Sequence, residues 1–302
     1  MGAFHLKLIV KSRMIYGGAV LKRRTIITLI IAIIILLSVI YLYIENTTLQ
    51  VTKFEITNSK IAEDFNNYKI IQVSDFHNTT SEKLYNDLVE EIKTQKPNII
   101  ALTGDLIDSR KTDINVAIEF LKDIKDIAPI YYVTGNHESR VDEYSQLKEQ
   151  MKSLGVNILD SKAIVLKQKE TKINLIGIAD PNFSNEVAVS DSEIIKTEIN
   201  ALEYDKNSYT ILLSHRPEAF NTYVSENIDL VFTGHAHGGQ IRIPFVGGVV
   251  APNQGFFPKY TSGKYVEKNT TMIVSRGIGN SIIPFRINNR PDLIVVELRS
   301  KW

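Results

Sequence analysis

Cysteine is absent from the 302 residues. That excludes disulfides, thiolate metal sites and a cysteine nucleophile, and leaves oxygen and imidazole as the only good metal donors. Histidine is scarce as well, with six residues in all. Acids are missing from the whole N-terminal stretch: none precedes Glu45, while Lys7, Lys11, Arg13, Lys22, Arg23 and Arg24 are basic. Taking those six from the 35 basic residues leaves 29 against 34 acids, a net charge of −5 for residues 45–302. A mildly acidic domain argues against a general nucleic-acid platform. Internal repeats and low-complexity tracts are also lacking.

Charge vanishes altogether from Thr25 to Ile44, a run of twenty apolar and small polar residues. At 1.5 Å per residue such a helix crosses roughly 30 Å of hydrocarbon. A buried core helix would be shorter and carry a polar stripe, and a cleaved signal peptide would show a small-x-small site after Ile44, which is not there. The expectation is therefore a basic cytoplasmic segment over 1–24, an uncleaved transmembrane helix over 25–44 and one domain over 45–302. Lys22-Arg23-Arg24 abut the near end and Glu45-Asn46 the far end, so the positive-inside rule leaves the N-terminus in the cytoplasm and the domain outside the cytoplasmic membrane.

Beyond the span, buried-strand patterns alternate with amphipathic ones. Lys69 to Val73 reads as a strand, Ser81 caps a helix carrying Leu84, Leu88 and Ile92, and Pro97 stops it before the strand Ile99 to Leu102. Asp113 caps a second helix with Ile114, Ala117, Ile118 and Leu121 inside, and Ile130 to Val133 is the next strand. Further strands are read at 173–179, 209–213, 229–232, 272–274 and 293–298, and a helix at 191–204. Residues 181–190 read as a loop, and 244–265, rich in Gly, Pro and Phe, either as a long ordered loop near the site or as a plain surface loop. Such alternation implies parallel strands, and ligands of open α/β sheets bind past the strands' carboxyl ends.

Polar clusters sit at those ends. Asp75-Phe76-His77, Gly104-Asp105-Leu106-Ile107-Asp108, Gly135-Asn136-His137-Glu138, Ser214-His215 and Gly234-His235-Ala236-His237-Gly238-Gly239-Gln240 hold five of the six histidines. Gathered at one edge, Asp75, His77, Asp105, Asn136, His215, His235 and His237 offer more donors than one divalent ion can use. Two ions suit them, with carboxylates to bridge, neutral imidazoles for Zn, Fe or Mn, and an amide oxygen that adds no charge. Two such ions polarise a phosphoryl group and lower the pKa of a bridging water, so that hydroxide attacks in line. Ala236 separates His235 and His237 on a segment that reads as extended.

These five blocks, in this order, resemble the signature of calcineurin-like metallophosphoesterases over about residues 50–302. The Gly-Gly-Gln after His237, the segment Ala251-Pro252-Asn253-Gln254-Gly255 and the turn Arg276-Gly277-Ile278-Gly279 resemble the family's small membrane-tethered bacterial branch. The resemblance implies a four-layer α-β-β-α sandwich of two mixed sheets. It implies that Asp75, His77 and His237 bind one metal, Asn136, His215 and His235 the other, and Asp105 both. It makes His137 the catalytic residue facing the phosphoryl group or the leaving oxygen. Asp108 is expected to hold a ligand or His137, or to be a helix N-terminal carboxylate. Arg110, Arg140, Arg216 and Arg276 are candidate contacts for an anionic substrate.

The function implied is a dinuclear metal-dependent phosphomono- or phosphodiesterase, anchored in the membrane. The alternative is a lipid-directed pyrophosphate hydrolase of the UDP-2,3-diacylglucosamine hydrolase type, since the anchor places the site near phospholipids, lipid-linked substrates or cell-wall polymer phosphates. An inert metal-binding scaffold predicts a replaced ligand, and none is replaced.

Overall fold

In the computed structural model of this chain, residues 2–186, 188–280 and 283–301 are described, with backbone alone for residues 2–21. Two compact units are separable, Met1–Ile44 and Glu45–Trp302.

The first element is one long helix, α1, over Gly2–Thr47. Its apolar part, Lys22–Thr47, has a mean hydropathy of 3.0 in its most apolar window, none of it buried. Leu36 and Leu37 are 58% and 59% exposed, which a core helix of a water-soluble domain would not be. The helix is long and apolar enough to cross a membrane, and the basic stretch before it is helical too.

The second unit begins with β1 (Gln50–Asn58) and β2 (Tyr68–Val73), followed by α2 (Glu82–Gln95), β3 (Ile99–Thr103), α3 (Ile114–Ile124) and β4 (Ile130–Val133). Next come α4 (Tyr144–Ser153), β5 (Asn157–Ile158), the hairpin of β6 (Lys162–Gln168) with β7 (Thr171–Gly177), α5 (Asp191–Ala201), β8 (Thr210–Leu213), α6 (Phe220–Ser225) and β9 (Leu230–Thr233). Four very short strands then form two hairpins, β10 (Arg242–Ile243) with β11 (Gly247–Gly248) and β12 (Val250–Ala251) with β13 (Gly255–Phe256). The chain closes with β14 (Gly263–Glu267), β15 (Thr270–Val274) and β16 (Asp292–Ser300).

Local chemistry sets the boundaries. The Ser81 hydroxyl accepts from the Leu84 amide at 3.4 Å to start α2, which ends on Lys96 in the left-handed conformation just before Pro97. Asp113 accepts from the Asn115 amide at 3.0 Å to start α3. Leu84, Leu88 and Ile92 of α2 are buried, as the 3.6-residue period demands.

Two mixed six-stranded sheets result, in the orders β1-β16-β2-β3-β4-β5 and β14-β15-β9-β8-β7-β6. In the first, β2, β3, β4 and β5 run parallel and β16 runs antiparallel to β2. In the second, β15, β9, β8 and β7 run parallel between antiparallel edge strands. One apolar cluster packs α2, α3 and α4 on the outer face of the first sheet, a second joins the sheets through Ile70, Ala101, Ile211 and Phe232, and a third packs α5 and α6 on the second sheet. This is the α-β-β-α sandwich the blocks imply, and central strands covered on both faces explain runs such as Ile99 to Leu102 that show no alternation.

Several elements depart from the reading by pattern. Strand β1 is absent from the strands read by pattern; it lies at a sheet edge and is only partly buried, so it alternates too weakly to stand out. Helix α5 ends at Ala201 rather than 204, because Leu202 turns extended. The loop 181–190 contains one short 3-10 turn, Pro181–Phe183, with Val187 outside the described residues. The long loop 244–265 holds β11, β12, β13 and the start of β14.

Candidate metal centre

The parallel strands β2, β3, β4, β8 and β9 end at one side of the sandwich, and each is followed at once by one of the polar clusters. Asp75, Asp105, Asn136, His137, His215, His235 and His237 are all at most 9% exposed. Burial of that many polar groups, six of them titratable, is costly unless they serve each other or a ligand.

The backbone there is strained to aim them. Asp75, His77, Asp105, His235 and His237 all have φ between +46° and +63°, a left-handed conformation that side chains with a Cβ disfavour and that clusters at functional sites. This corrects the expectation for the two closing histidines. The segment is a tight turn, with Ala236 right-handed between two left-handed histidines, so the imidazoles part because the turn alternates hand. Gly234 is required here: a Cβ on it would overlap Ser74 Oγ and Asp75 Oδ2.

Two groups of donors form around one carboxylate. Asp75, His77, Asp105 and His237 make one, and Asp105, His215 and His235 the other, each able to bring its ligand atoms within 4.8 Å of one another. His77 Nε2 lies 3.1 Å from His237 Nε2, which is 3.2 Å from Asp75 Oδ1. His215 Nε2 lies 3.2 Å from both Asp105 Oδ2 and His235 Nδ1. His215 Nδ1 faces the Thr103 carbonyl at 2.8 Å, so Nδ1 carries a proton there and Nε2 is left for a ligand.

Electrostatics keeps all of these donors but His215 in ligating form. Burial alone would raise the Asp75 carboxyl, but His237 beside it brings it down to about 2. Asp105 is likewise buried yet held well below the ordinary range by His215 and His77. Burial drives the His77 imidazole down to about 3 and His235 well below its usual value, the latter helped by Arg216. Burial would lower His215 too, but Asp105 raises it to about 10, so a metal ion taken up there displaces a proton.

The donor set fits divalent ions on a further observation. Asn136 Oδ1, His77 Nδ1 and His237 Nδ1 are buried and lack a hydrogen-bond partner. An unpartnered amide oxygen at the edge of two imidazole–carboxylate groups is the donor that completes a shell without charge.

His137 stands beside the groups, with Nε2 4.0 Å from Asp105 Oδ2. Its Nδ1 accepts the Ser109 amide at 3.0 Å, which makes Nε2 the protonated nitrogen of the neutral ring. Burial lowers its pKa, favouring that neutral form. Asp108 Oδ1 lies 3.5 Å from His137 Nδ1 and binds Arg110 through Nε at 3.0 Å and through Nη2 to Oδ2 at 2.6 Å. It does not cap a helix, since Asp113 starts α3.

A cavity of about 200 Å³ opens over the centre, lined among others by Asp105, Asn136, His137, Arg140, His235 and Asn253. Arg216 reaches its wall, but the side chain is buried and held by Asp180 at 2.6 and 2.8 Å, with Nη1 3.2 Å from His235 Nε2. Arg276 is elsewhere: its guanidinium donates to Gln50 at 3.1 Å and lies 3.9 Å from Asp292. The turn after it matters instead, since a Cβ on Gly277 would come within 2.7 Å of Asp75 Cβ and one on Gly279 within 2.7 Å of His77 Cβ.

Three residues escaped the sequence reading. Glu138 accepts four backbone N–H groups, from Asp105 at 3.0 Å, Gly135 at 2.8 Å, Leu106 at 2.7 Å and Ile107 at 3.3 Å, and so ties the loops after β3 and β4 together. Asp180 pairs Arg216, and Glu218 lies 3.5 Å from the same guanidinium. The Glu after Asn-His was the one available signal; Asp180 falls between the strand read at 173–179 and the loop read at 181–190.

A family model for calcineurin-like phosphoesterases matches residues 68–239. An uncharacterized metallophosphoesterase of Bacillus subtilis, YkuE, is 28% identical over 85% of this chain and 88% of its own. The phosphodiesterase YaeI of Escherichia coli is 27% identical over 76% of this chain and 82% of its own. A transmembrane protein with a metallophosphoesterase domain from Danio rerio is 27% identical over 92% of this chain and 63% of its own.

Proposed function

This chain belongs to the calcineurin-like phosphoesterase family, and from that premise we propose that it is a membrane-anchored hydrolase of phosphate mono- or diesters that uses two divalent ions. The observation that carries the reading is the sharing of Asp105 between two donor groups. Asp75, His77 and His237 would hold one ion, Asn136, His215 and His235 the other, and Asp105 both, with Mn, Fe or Zn suited to the mixed imidazole and oxygen set. When bound, the ions polarise the phosphoryl group and lower the pKa of a water molecule. His137 then presents an Nε2 proton to a phosphoryl or leaving oxygen at the cavity wall, its ring held by the Ser109 amide. Arg140, which lines the same cavity, supplies charge for an anionic substrate. Similarity to the Escherichia coli phosphodiesterase favours diesters.

One observation favours the second reading, a lipid-directed pyrophosphate hydrolase of the UDP-2,3-diacylglucosamine hydrolase type. A larger cleft of about 690 Å³ adjoins His77 and is lined by Leu84, Val116, Ile278 and Pro284 as well as Arg110, so apolar and cationic surfaces lie together beside the centre. The inert-scaffold reading finds no support in a donor set with every position filled. The anchor is α1, with the basic N-terminus inside and the hydrolase domain outside the cytoplasmic membrane.

The test is metal content and hydrolysis of chromogenic mono- and diesters by the full chain in detergent with Mn added. Wild type is expected to carry two ions and Asp105→Ala to lose both ions and activity. An Asp105→Ala protein that hydrolyses as fast as wild type would overturn the reading.

A further inference from the structure

The hairpin of β10 and β11 carries its apolar side chains outward. Phe245 is fully exposed, Val246 61% and Ile243 44% exposed. Two residues of strand on each side cannot require such a tip for stability, and Phe256 and Phe257 of the next hairpin are exposed as well. Single exposed apolar residues are ordinary; several on adjacent hairpins mark a surface that meets something.

Its position in the domain says what. The Arg242 amide donates to the Ile287 carbonyl at 3.0 Å and Asn288 Nδ2 to the Arg242 carbonyl at 3.1 Å. The segment that holds the hairpin is itself bound to Glu45 and Asn46: Arg286 N–H donates to Asn46 Oδ1 at 2.9 Å, and Asn289 N–H to Glu45 Oε2 at 3.0 Å. Glu45 and Asn46 follow directly on Ile44, the last residue of the apolar run. By chain connectivity alone, the base of the hairpin is therefore tied to the residues at which the chain leaves the span.

Charge agrees. No Asp or Glu occurs from Leu230 to Val266, where Arg242, Lys259 and Lys264 are basic, although residues 45–302 as a whole carry −5. A basic, aromatic-tipped loop suits an interface of headgroups and acyl chains, with anionic lipid attracted to the cations.

We propose that the tip Ile243-Pro244-Phe245-Val246 dips into the bilayer that α1 crosses, giving the domain a second attachment and one fixed orientation on the lipid surface. The proposal rests on the reading of α1 as a span. The test uses the full chain in nanodiscs of phosphatidylcholine and phosphatidylglycerol, with and without brominated acyl chains. The chain has one tryptophan, so Trp302→Phe provides a background for single probes at Phe245→Trp, Leu36→Trp and Val165→Trp, the last on the exposed face of β6. With an insertion of roughly 5–10 Å, Phe245→Trp should lose about half its emission to the bromines, as Leu36→Trp does, while Val165→Trp keeps its own. Quenching at Leu36→Trp without quenching at Phe245→Trp overturns the insertion alone, as does equal quenching at Phe245→Trp and Val165→Trp. That first outcome is also what a tip covered by a second copy of the chain would give. An unquenched Leu36→Trp overturns the span and the insertion together.

Discussion

Replacing Glu138 by Gln keeps the shape of the side chain and exchanges one acceptor oxygen for an NH2 group. Each carboxylate oxygen accepts two N–H groups, Oε2 from Asp105 and Gly135 and Oε1 from Leu106 and Ile107. Whichever oxygen is exchanged, two buried donors then face a donor. A hydrogen bond to a charged acceptor is worth about 1.5–3 kcal/mol, so Glu138→Gln should cost about 3–6 kcal/mol. Burial pushes this carboxyl up to about 8, with the Asp105 charge adding to the push and the N–H donors opposing it. No acceptor is left for a carboxyl proton, so the charged form is the one this geometry accommodates, the more so when cations neutralise Asp105. Thermal unfolding of the full chain in detergent, followed by circular dichroism, should show a midpoint lower by about 10 °C. Metal content should fall as well, since the clamp holds Asp105 and Asn136. A Gln variant within about 2 °C of wild type would show that the neutral acid occupies the site and that the clamp argument is wrong.

Gly234→Ala should express poorly or lose bound metal, read by metal content, because its Cβ overlaps Ser74 and Asp75; unchanged metal content would refute the steric argument. Asp180→Ala removes two charge-assisted hydrogen bonds from the buried Arg216 guanidinium, leaving Glu218 and Asp191 at 3.5 and 3.6 Å, and should cost about 3 kcal/mol in denaturant unfolding, whereas Arg216→Met with Asp180→Leu should recover part of that loss. Burial raises the Asp292 carboxyl to about 6 from an ordinary 3.8, so between those values the native state holds more protons than the unfolded chain and stability falls as pH rises. Asp292→Asn, which keeps an oxygen for the Thr52 hydroxyl 2.7 Å away, should flatten that slope, measured as unfolding midpoint from pH 4 to 7.

What could be read along the chain was whatever repeats in type. Buried runs such as Ile99 to Leu102, caps such as Ser81 and Asp113, and histidines placed at strand ends all announce themselves, because a strand buried on both faces and a metal donor each tolerate few residue types. Strand β1 did not, since an edge strand half open to water carries polar residues. The hand of the turn around Ala236 is set by tertiary contacts with Asp75 and Ser74, which no local pattern encodes. Arginines are the hardest: Arg216 and Arg276 looked alike as candidate anion contacts, yet one is locked to Asp180 at the cavity wall and the other reaches Gln50.

The first sheet has its final strand near one edge and not at an end of the order. Strand β16 runs parallel to β1 from Gln50↔Asp292 to Asn58↔Ser300 and antiparallel to β2 on its other side. The oldest and the youngest segments of the domain, in order of synthesis, are thus neighbours. Until residue 300 has left the ribosome, β1 has no partner and β2 has an open edge, so the domain cannot complete its fold piecemeal as the polypeptide lengthens. A product that stops before residue 293 lacks the strand between the two, which leaves β1 unpaired and the edge of β2 open.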